Sequence, residues 1–361
     1  MDDFKLDGHK MYAHLDRVVR WEQDGGMNVF PLYVEISPVS FCNHRCSFCA
    51  MDYLGYKHHT LDLSKLRYTL GSMAFNGVSS VMYAGEGEPL LHKGINEIIE
   101  STKSLGMDVA ITTNGTLMDE DFCRKSLAKC SWIKISCNAG DWITYSKVHG
   151  VQAAEFGILW ENIEYAVAYR KAHGIDTTIG VQAVALPENM DTLDALAQRC
   201  KEMGVDYLVI KPYSQHKKSI NKQDTDEEYK CLYEKHVKPL SKYSCSTFEL
   251  ISRDRALEGC VEQDRKKQYS KCLSVPFFWA YIMATGDVYG CSAFLGDPRF
   301  CYGNINLDSF YNIWMSTERA KAIKFMREDF DISDCRQSCR MHCVNTFLHK
   351  VANPGKHKNF I

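Results

Sequence analysis

The sequence predicts an α/β fold in which a parallel sheet of six βα units, curled as a barrel or part of one, is followed by a smaller α+β domain. Three observations carry that expectation. From about residue 30 to 210, short apolar runs alternate with segments of helical spacing. Beyond residue 245 this rhythm gives way to a hairpin pattern and a cysteine-rich tail. The chain has 361 residues, whereas alternating barrels fill about 200–250 as one unit, so one large domain and a smaller one is the natural division.

Each element follows in order. Residues 1–29 read as a helical extension, and "PLYVEIS" (31–37) as a strand ending at Pro38. Leu63 to Phe75 has helical spacing, and "VSSVMYAG" (78–85) reads as a strand. "INEIIESTKSLG" (95–106) is a helix with Gly after its end, and "MDVAITTNG" (107–115) a strand into a turn. "SWIKISCNAG" (131–140), "DTTIGVQAVAL" (176–186) and "VDYLVIKP" (205–212) are the next strands, separated by helices at Leu159–Lys171 and Thr192–Glu202. The barrel is therefore assigned to 30–215, a charged linker or helix start to 216–244, and a second domain to 245–361. Within that domain "PFFWAYIMATGDVYGCSAF" (276–294) reads as a hairpin turning at Thr285-Gly286-Asp287, and Thr317 to Arg327 as a helix.

Composition narrows the function classes. Hydrophobic residues at 45 % and charged residues at 24 % are ordinary globular values that exclude a disordered chain. A net charge of −2, from 43 basic and 45 acidic side chains interspersed, offers no broad basic surface for nucleic acid. The charged start "MDDFKLDGHK" does not resemble a signal peptide, and no run of 18 apolar residues occurs, so a cytoplasmic protein without membrane attachment is expected. In a reducing compartment the sixteen cysteines are metal ligands, small buried hydrophobes or reactive thiols.

The stretch "CNHRCSFC" (42–49) places three cysteines at i, i+4 and i+7, directly after the first strand. Three thiolates can hold three irons of a [4Fe–4S] cube and leave the fourth open, whereas an electron-transfer cluster takes four cysteines. A zinc knuckle is the competing reading. With Phe48 before the third cysteine, the loop resembles the signature of the radical S-adenosylmethionine (SAM) superfamily, and the βα units resemble that family's partial (β/α)6 barrel. The resemblance implies that Cys42, Cys46 and Cys49 bind a [4Fe–4S] cluster whose open iron chelates SAM. It further implies a 5′-deoxyadenosyl radical that takes a hydrogen atom from an unactivated C–H bond, and an electron donor such as flavodoxin or ferredoxin.

Other segments fall at the carboxyl ends of strands, where barrel sites are built. "AGEGEP" (84–89) resembles the family's GGEP motif with Glu86 in place of the first Gly, which implies that Glu86, Gly87 and Glu88 lie along the SAM methionine amino group. Read alone, it is equally a Gly/Pro turn. "TTNG" (112–115) and "SCN" (136–138) resemble SAM-lining positions, giving Asn114, Ser136 and Asn138, although Asn-Gly is also plain turn chemistry.

In the second domain Cys272, Gly286 and Cys291 fit C-x13-G-x4-C, followed by "CRQSCRMHC" at Cys335, Cys339 and Cys343. This resembles the SPASM and twitch extensions behind radical SAM barrels. The C-x3-C-x3-C tail departs from the full SPASM pattern, so the resemblance implies the twitch-like case: one auxiliary [4Fe–4S] cluster on Cys272, Cys291, Cys335 and Cys339, with Cys343 as rival for the last place. Four-thiolate zinc is the alternative. Cys200, Cys231 and Cys301 lack ligand spacing.

The expected substrate is a small, polar, carbohydrate- or aminocyclitol-like molecule. The segment before the barrel is short for a peptide-binding module, and "IKPYSQHKK" (210–218) would aim Lys211, Tyr213, Gln215 and His216 at the site mouth. Lys211 and Tyr213 are accordingly candidate catalytic residues. Oxidation of a secondary alcohol is the leading reaction. Epimerisation is the alternative, with Cys137 either the inward thiol that returns a hydrogen atom or a buried core cysteine. A maturase acting on a peptide or protein is a further reading.

Overall fold

The computed structural model describes residues 9–223, 226–253, 269–336 and 339–359. One ten-stranded sheet runs through them, in the order β10-β9-β8-β1-β2-β3-β4-β5-β6-β7. The six expected strands form its centre: β1 (Tyr33–Ile36), β2 (Ser80–Tyr83), β3 (Asp108–Thr113), β4 (Trp132–Ser136), β5 (Thr178–Ala185) and β6 (Tyr207–Pro212). All pair in parallel, and helices Leu63–Phe75, Ile95–Ser104, Ala154–Ala172 and Leu193–Met203 make crossovers between them.

The sheet also contains strands that the βα count does not include. β7 (Glu249–Ser252) adds in parallel to β6. The predicted hairpin forms as β8 (Trp279–Ile282) and β9 (Asp287–Tyr289), with β10 (Cys301–Asn304) beyond it. Its first strand lies parallel to β1, matching Tyr33 with Trp279 and Glu35 with Tyr281. The second domain thus covers an edge that would otherwise present unpaired amides.

Side-chain alternation separates two faces. In β4, Ile133 and Ile135 are fully buried against the helices, while Trp132, Lys134 and Ser136 are half-buried on the other face. On that inner face Met82, Ala84 and Ala110 pack with Tyr33 and Trp132 as a small cluster of their own, the apolar part of the lumen.

The amino-terminal helix Leu15–Asp24 buries Val18 and Trp21 against Phe277, Phe278, Ile323 and Leu348 of the second domain. Arg319, fully buried in the helix Thr317–Glu328, donates to the carbonyls of Met27, Trp314 and Pro276 at 3.1, 2.9 and 3.0 Å. These bonds offset part of the cost of burying a cation, and they tie the residues after the amino-terminal helix to the second domain. No helix among the described residues is long and apolar enough to cross a membrane.

Candidate active site

The three-cysteine loop leaves β1 and is held from three sides. The amides of Arg45 and Ser47 donate to the carbonyls of His149 and Val148, each at 2.9 Å. Close approach there requires Gly150, at φ +62°, because a Cβ would stand 2.4 Å from the Arg45 carbonyl oxygen. From below, Glu88 donates its amide to Phe41 at 3.0 Å. Beyond the cysteines, buried Asp52 accepts from Ser219 Oγ and the amides of Ile220 and Asn221 at 3.0, 2.9 and 2.7 Å, which ties the loop to the segment after β6.

Cys42, Cys46 and Cys49 are half-buried and close together. Burial raises the Cys42 and Cys46 thiols, and each is raised further by neighbouring thiols of the loop. Three neighbouring sulfurs, whose thiolates Arg45 favours only weakly against burial, are a donor set that fits a cluster with one open iron. The His44 amide points at Cys42 Sγ, 3.3 Å away, as N–H groups do around such sulfurs. His149, which the sequence did not flag, lies beneath. Its Nε2 accepts the Asn138 amide at 3.1 Å, so its proton sits on Nδ1, 3.6 Å from Cys46 Sγ and 3.3 Å from His44 Nδ1. Burial, and next His44, push its pKa down and keep the ring neutral.

The other expected positions separate by role. Glu88 is buried and accepts from Thr113 Oγ1, the Asn114 amide and the Leu90 amide at 2.6, 2.7 and 3.1 Å. Glu86 accepts from the Ala284 amide at 3.0 Å, and burial lifts its pKa to about 7. Both carboxylates thus face protein donors. Gly87 lies so near the loop that a Cβ would meet the Phe41 carbonyl oxygen at 2.2 Å. Asn114 Nδ2 reaches Asn43 Oδ1 at 2.7 Å and points toward Cys42 Sγ at 4.0 Å. Phe48 stands edge-on to His149. Asn138 spans His149 and the Val184 amide, while Ser136 stays on the lumen face, matched with Gln182.

Cys137 is fully buried on the helix side with Ile133 and Ile135, donates to the Ala139 carbonyl at 3.4 Å, and is raised to about 12 by burial. Strand alternation therefore does not bring it to the lumen. Lys211 is on the lumen face, matched with Val184. Tyr213 is buried, its phenol donating to Gln215 at 2.9 Å, and His216 stacks on Tyr53.

In the second domain, Cys272, Cys291, Cys335 and Cys339 form one group. Each of the first two thiols is raised by burial and then by Cys335, and Cys339 is raised by all three others, Cys335 foremost. Against burial, which lowers it, Cys343 raises the pKa of Arg253.

A family model of the radical SAM superfamily matches residues 36–200. The chain belongs to the radical SAM superfamily. A second model, for the SPASM iron–sulfur cluster-binding domain, matches residues 272–343. The cofactors of these domains are SAM, its [4Fe–4S] cluster and auxiliary [4Fe–4S] binding. Among curated proteins, the tungsten-containing aldehyde ferredoxin oxidoreductase cofactor-modifying protein of Pyrococcus furiosus is 28% identical over 181 residues, 50% of each chain. The S-adenosylmethionine-dependent nucleotide dehydratase of Lacinutrix mariniflava is 27% identical over 204 residues, 54% of this chain and 42% of that one. The chain thus spans about half the length, or less, of these relatives. Among solved structures, Streptococcus suis SuiB bound to S-adenosylmethionine aligns with a TM-score of 0.63 at 20% identity, covering 85% of this chain and 70% of that one. The protein anSMEcpe with bound AdoMet aligns at 0.57 and 16%, covering 90% and 96%. At these identities the likeness is one of fold.

The radical SAM barrel also holds lumen groups the motifs do not reveal. Glu35 of β1, buried, accepts from Arg340 Nη1 at 2.6 Å. Lys134 lies over the Trp132 ring at 4.8 Å. Arg253 follows β7, its amide on the Ile210 carbonyl at 3.0 Å. A lysine alone in the apolar strand "WIKIS" was a legible signal for Lys134; Arg253 and Arg340 carried none.

Proposed function

We propose that this radical SAM protein is an oxidoreductase that takes a hydrogen atom from a small polar substrate held in the barrel lumen and oxidises a secondary alcohol. The observation that carries the reading is the polar lining of that lumen. Ser136, Gln182, Lys134 and Lys211 share one face of β4, β5 and β6, and Gln182 Oε1 is buried without a hydrogen-bond partner among the described residues. An orphaned acceptor of this kind suits a substrate hydroxyl. The names of curated relatives, a nucleotide dehydratase and a GTP 3′,8-cyclase of Chlorobaculum tepidum, point the same way, toward small polar molecules.

Cys42, Cys46 and Cys49 would hold the SAM cluster, and Cys272, Cys291, Cys335 and Cys339 the auxiliary one. When bound, SAM supplies a 5′-deoxyadenosyl radical that removes the carbinol hydrogen atom, and the auxiliary cluster accepts the second electron. The chain's own residues then have to orient the alcohol and take its hydroxyl proton. Gln182 Oε1 accepts from a neighbouring hydroxyl of the substrate, which leaves the reacting hydroxyl's proton to a base. Lys211, whose pKa burial and then Lys134 and Arg253 drive well below the ordinary value, is the base for that proton. The electron enters from a donor such as flavodoxin or ferredoxin, in a cytosolic setting.

The test is anaerobic turnover of the reconstituted protein with SAM, reduced flavodoxin and pools of sugars, aminocyclitols and their phosphates, read by mass spectrometry. One 5′-deoxyadenosine per substrate that loses two mass units supports oxidation. Product of unchanged mass carrying solvent deuterium at the reacting carbon means epimerisation, and no 5′-deoxyadenosine at all refutes the enzymatic reading.

A further inference from the structure

The lumen concentrates cations beyond what its acids balance. Lys134 points inward from the middle of β4, and Lys211 from the end of β6. Arg253 extends β7 on the same inward parity as Ile251, matched with Val209. Arg340 enters from the tail, between Cys339 and Cys343, to reach Glu35. That pair leaves Arg340 neutralised. Among the described residues neither Lys134, which lies over the Trp132 ring, nor Arg253 has a carboxylate at ion-pair distance, and Glu35 acts on Lys134 only from farther off. Solvent reaches this wall, since Lys134 and Arg253 are half-buried and Arg340 keeps 41% of its side-chain surface accessible. Burial first, and then Arg340 and Arg253 against Glu35, lower Lys134 to about 7.

Cations gathered in a low-dielectric space with one shared carboxylate are costly unless an anion joins them. A barrel could have lined this wall with apolar side chains, as it does at Met82, Ala84 and Ala110. We propose that Lys134 and Arg253, with the Arg340–Glu35 pair beside them, form an oxyanion site in the lumen that holds a phosphate or carboxylate group of the substrate. The site deepens the functional reading above and rests on it only for calling the bound anion a substrate.

Geometry gives the site a purpose. Lys134 is matched in register with Thr112 and Gly180, two residues before Ser136 along β4. A strand rises about 3.3 Å per residue, so an anion at Lys134 sits roughly 7 Å below the strand ends where the cysteine loop lies. An anchored anion would thus place a carbon a few bonds away beneath the loop, fixing which C–H bond is presented. Gly180, beside Lys134, cannot carry a side chain, because a Cβ would overlap the Tyr207 ring at 2.1 Å. The Tyr207 ring thus packs over Gly180 and walls the site on the β5 side of Lys134.

The experiment uses the full reconstituted chain with inorganic phosphate and, separately, acetate as probes, titrated calorimetrically without SAM turnover. Saturable millimolar binding of phosphate supports a phosphate ester substrate, and selective binding of acetate a carboxylate. In either case Lys134→Met and Arg253→Met should weaken it at least tenfold, while Lys134→Arg retains it and the exposed Lys321→Met leaves it unchanged. Should the Met variants fail to fold, acylation of Lys134 in the wild type, followed by peptide mass spectrometry, replaces them: the bound probe should slow it at least fivefold. Absence of saturable binding of both probes, binding indifferent to Lys134→Met and Arg253→Met, or acylation indifferent to both probes overturns the proposal. Anion binding with no 5′-deoxyadenosine formed would refute the enzymatic reading and leave the site standing.

Discussion

Gly87→Ala is the sharpest test of how the cysteine loop is held. The added Cβ would stand 2.2 Å from the Phe41 carbonyl oxygen, 2.7 Å from that of Val39 and 2.8 Å from the Phe41 nitrogen. All three are backbone atoms, so no side chain can rotate away. An ordinary carbon–oxygen contact is about 3.3 Å, which requires the two segments to separate by roughly 1 Å. The Glu88 amide now sits 3.0 Å from Phe41 O; that bond would stretch to about 4 Å and be lost. An unsatisfied buried amide costs about 1–3 kcal/mol, and overpacking about as much again. The expected loss is therefore about 4 kcal/mol, a large share of a stability of about 5–15 kcal/mol. Because Phe41 precedes Cys42, the displacement also reaches the first cysteine. Anaerobic urea denaturation should show the lost stability, and iron analysis about four irons missing from a protein that keeps its auxiliary set. Wild-type stability together with wild-type iron would refute the account of the loop.

Three other outcomes follow from the same geometry. His149→Phe preserves the stacking on Tyr145 at 4.1 Å but strands the Asn138 amide, so denaturation should report a loss of about 1–3 kcal/mol; an unchanged midpoint would mean the imidazole bond carries nothing. Lys134 has a folded pKa near 7 against an ordinary 10.5, so between those values the unfolded chain binds more protons and stability rises with pH. Lys134→Met should therefore stabilise most at or below pH 7 in phosphate-free buffer, with the gain fading toward pH 10.5, and a gain that grows with pH would contradict the assignment. Cys343→Ala should retain both clusters by iron count, whereas Cys339→Ala should lose the auxiliary one; the reverse pattern would exchange their roles.

The six central strands were legible because parallel strands buried on the helix side read as apolar runs closed by Gly, Pro or Asn. "VSSVMYAG" and "SWIKISCNAG" run past their strand ends, Tyr83 and Ser136, into the turns that carry the site. The cysteine loop was legible because its ligands are local. β7 was not, since "ELIS" is four residues whose partner, β6, lies across a helix and a long connection. Nor was the pairing of β8 with β1, a contact between residues some 250 positions apart that no local pattern encodes. The inward parity of Lys134 could be read from its strand, but its company could not. Arg253 depends on β7, and Arg340 depends on the tail folding back to Glu35.

That last dependence carries a physical consequence for how the two halves act together. Arg340 follows Cys339 directly, and Arg336 follows Cys335, so the segment whose thiols gather with Cys272 and Cys291 is also the segment that delivers cations to the barrel. A four-ligand cluster cross-links chain segments and stiffens them. Without it, the tail would lose the constraint that seats Arg340 on Glu35, and Glu35, only 3% exposed, would be left as a buried carboxylate without its cation. On this assignment, an auxiliary cluster would have a structural task at the lumen in addition to any electron it carries. Cys335→Ala should loosen the Arg340–Glu35 pair, and hydrogen exchange at residues 33–36 should rise along with the loss of auxiliary iron. If exchange along β1 stays at the wild-type rate while that iron is gone, the cluster acts on the lumen by electron transfer alone.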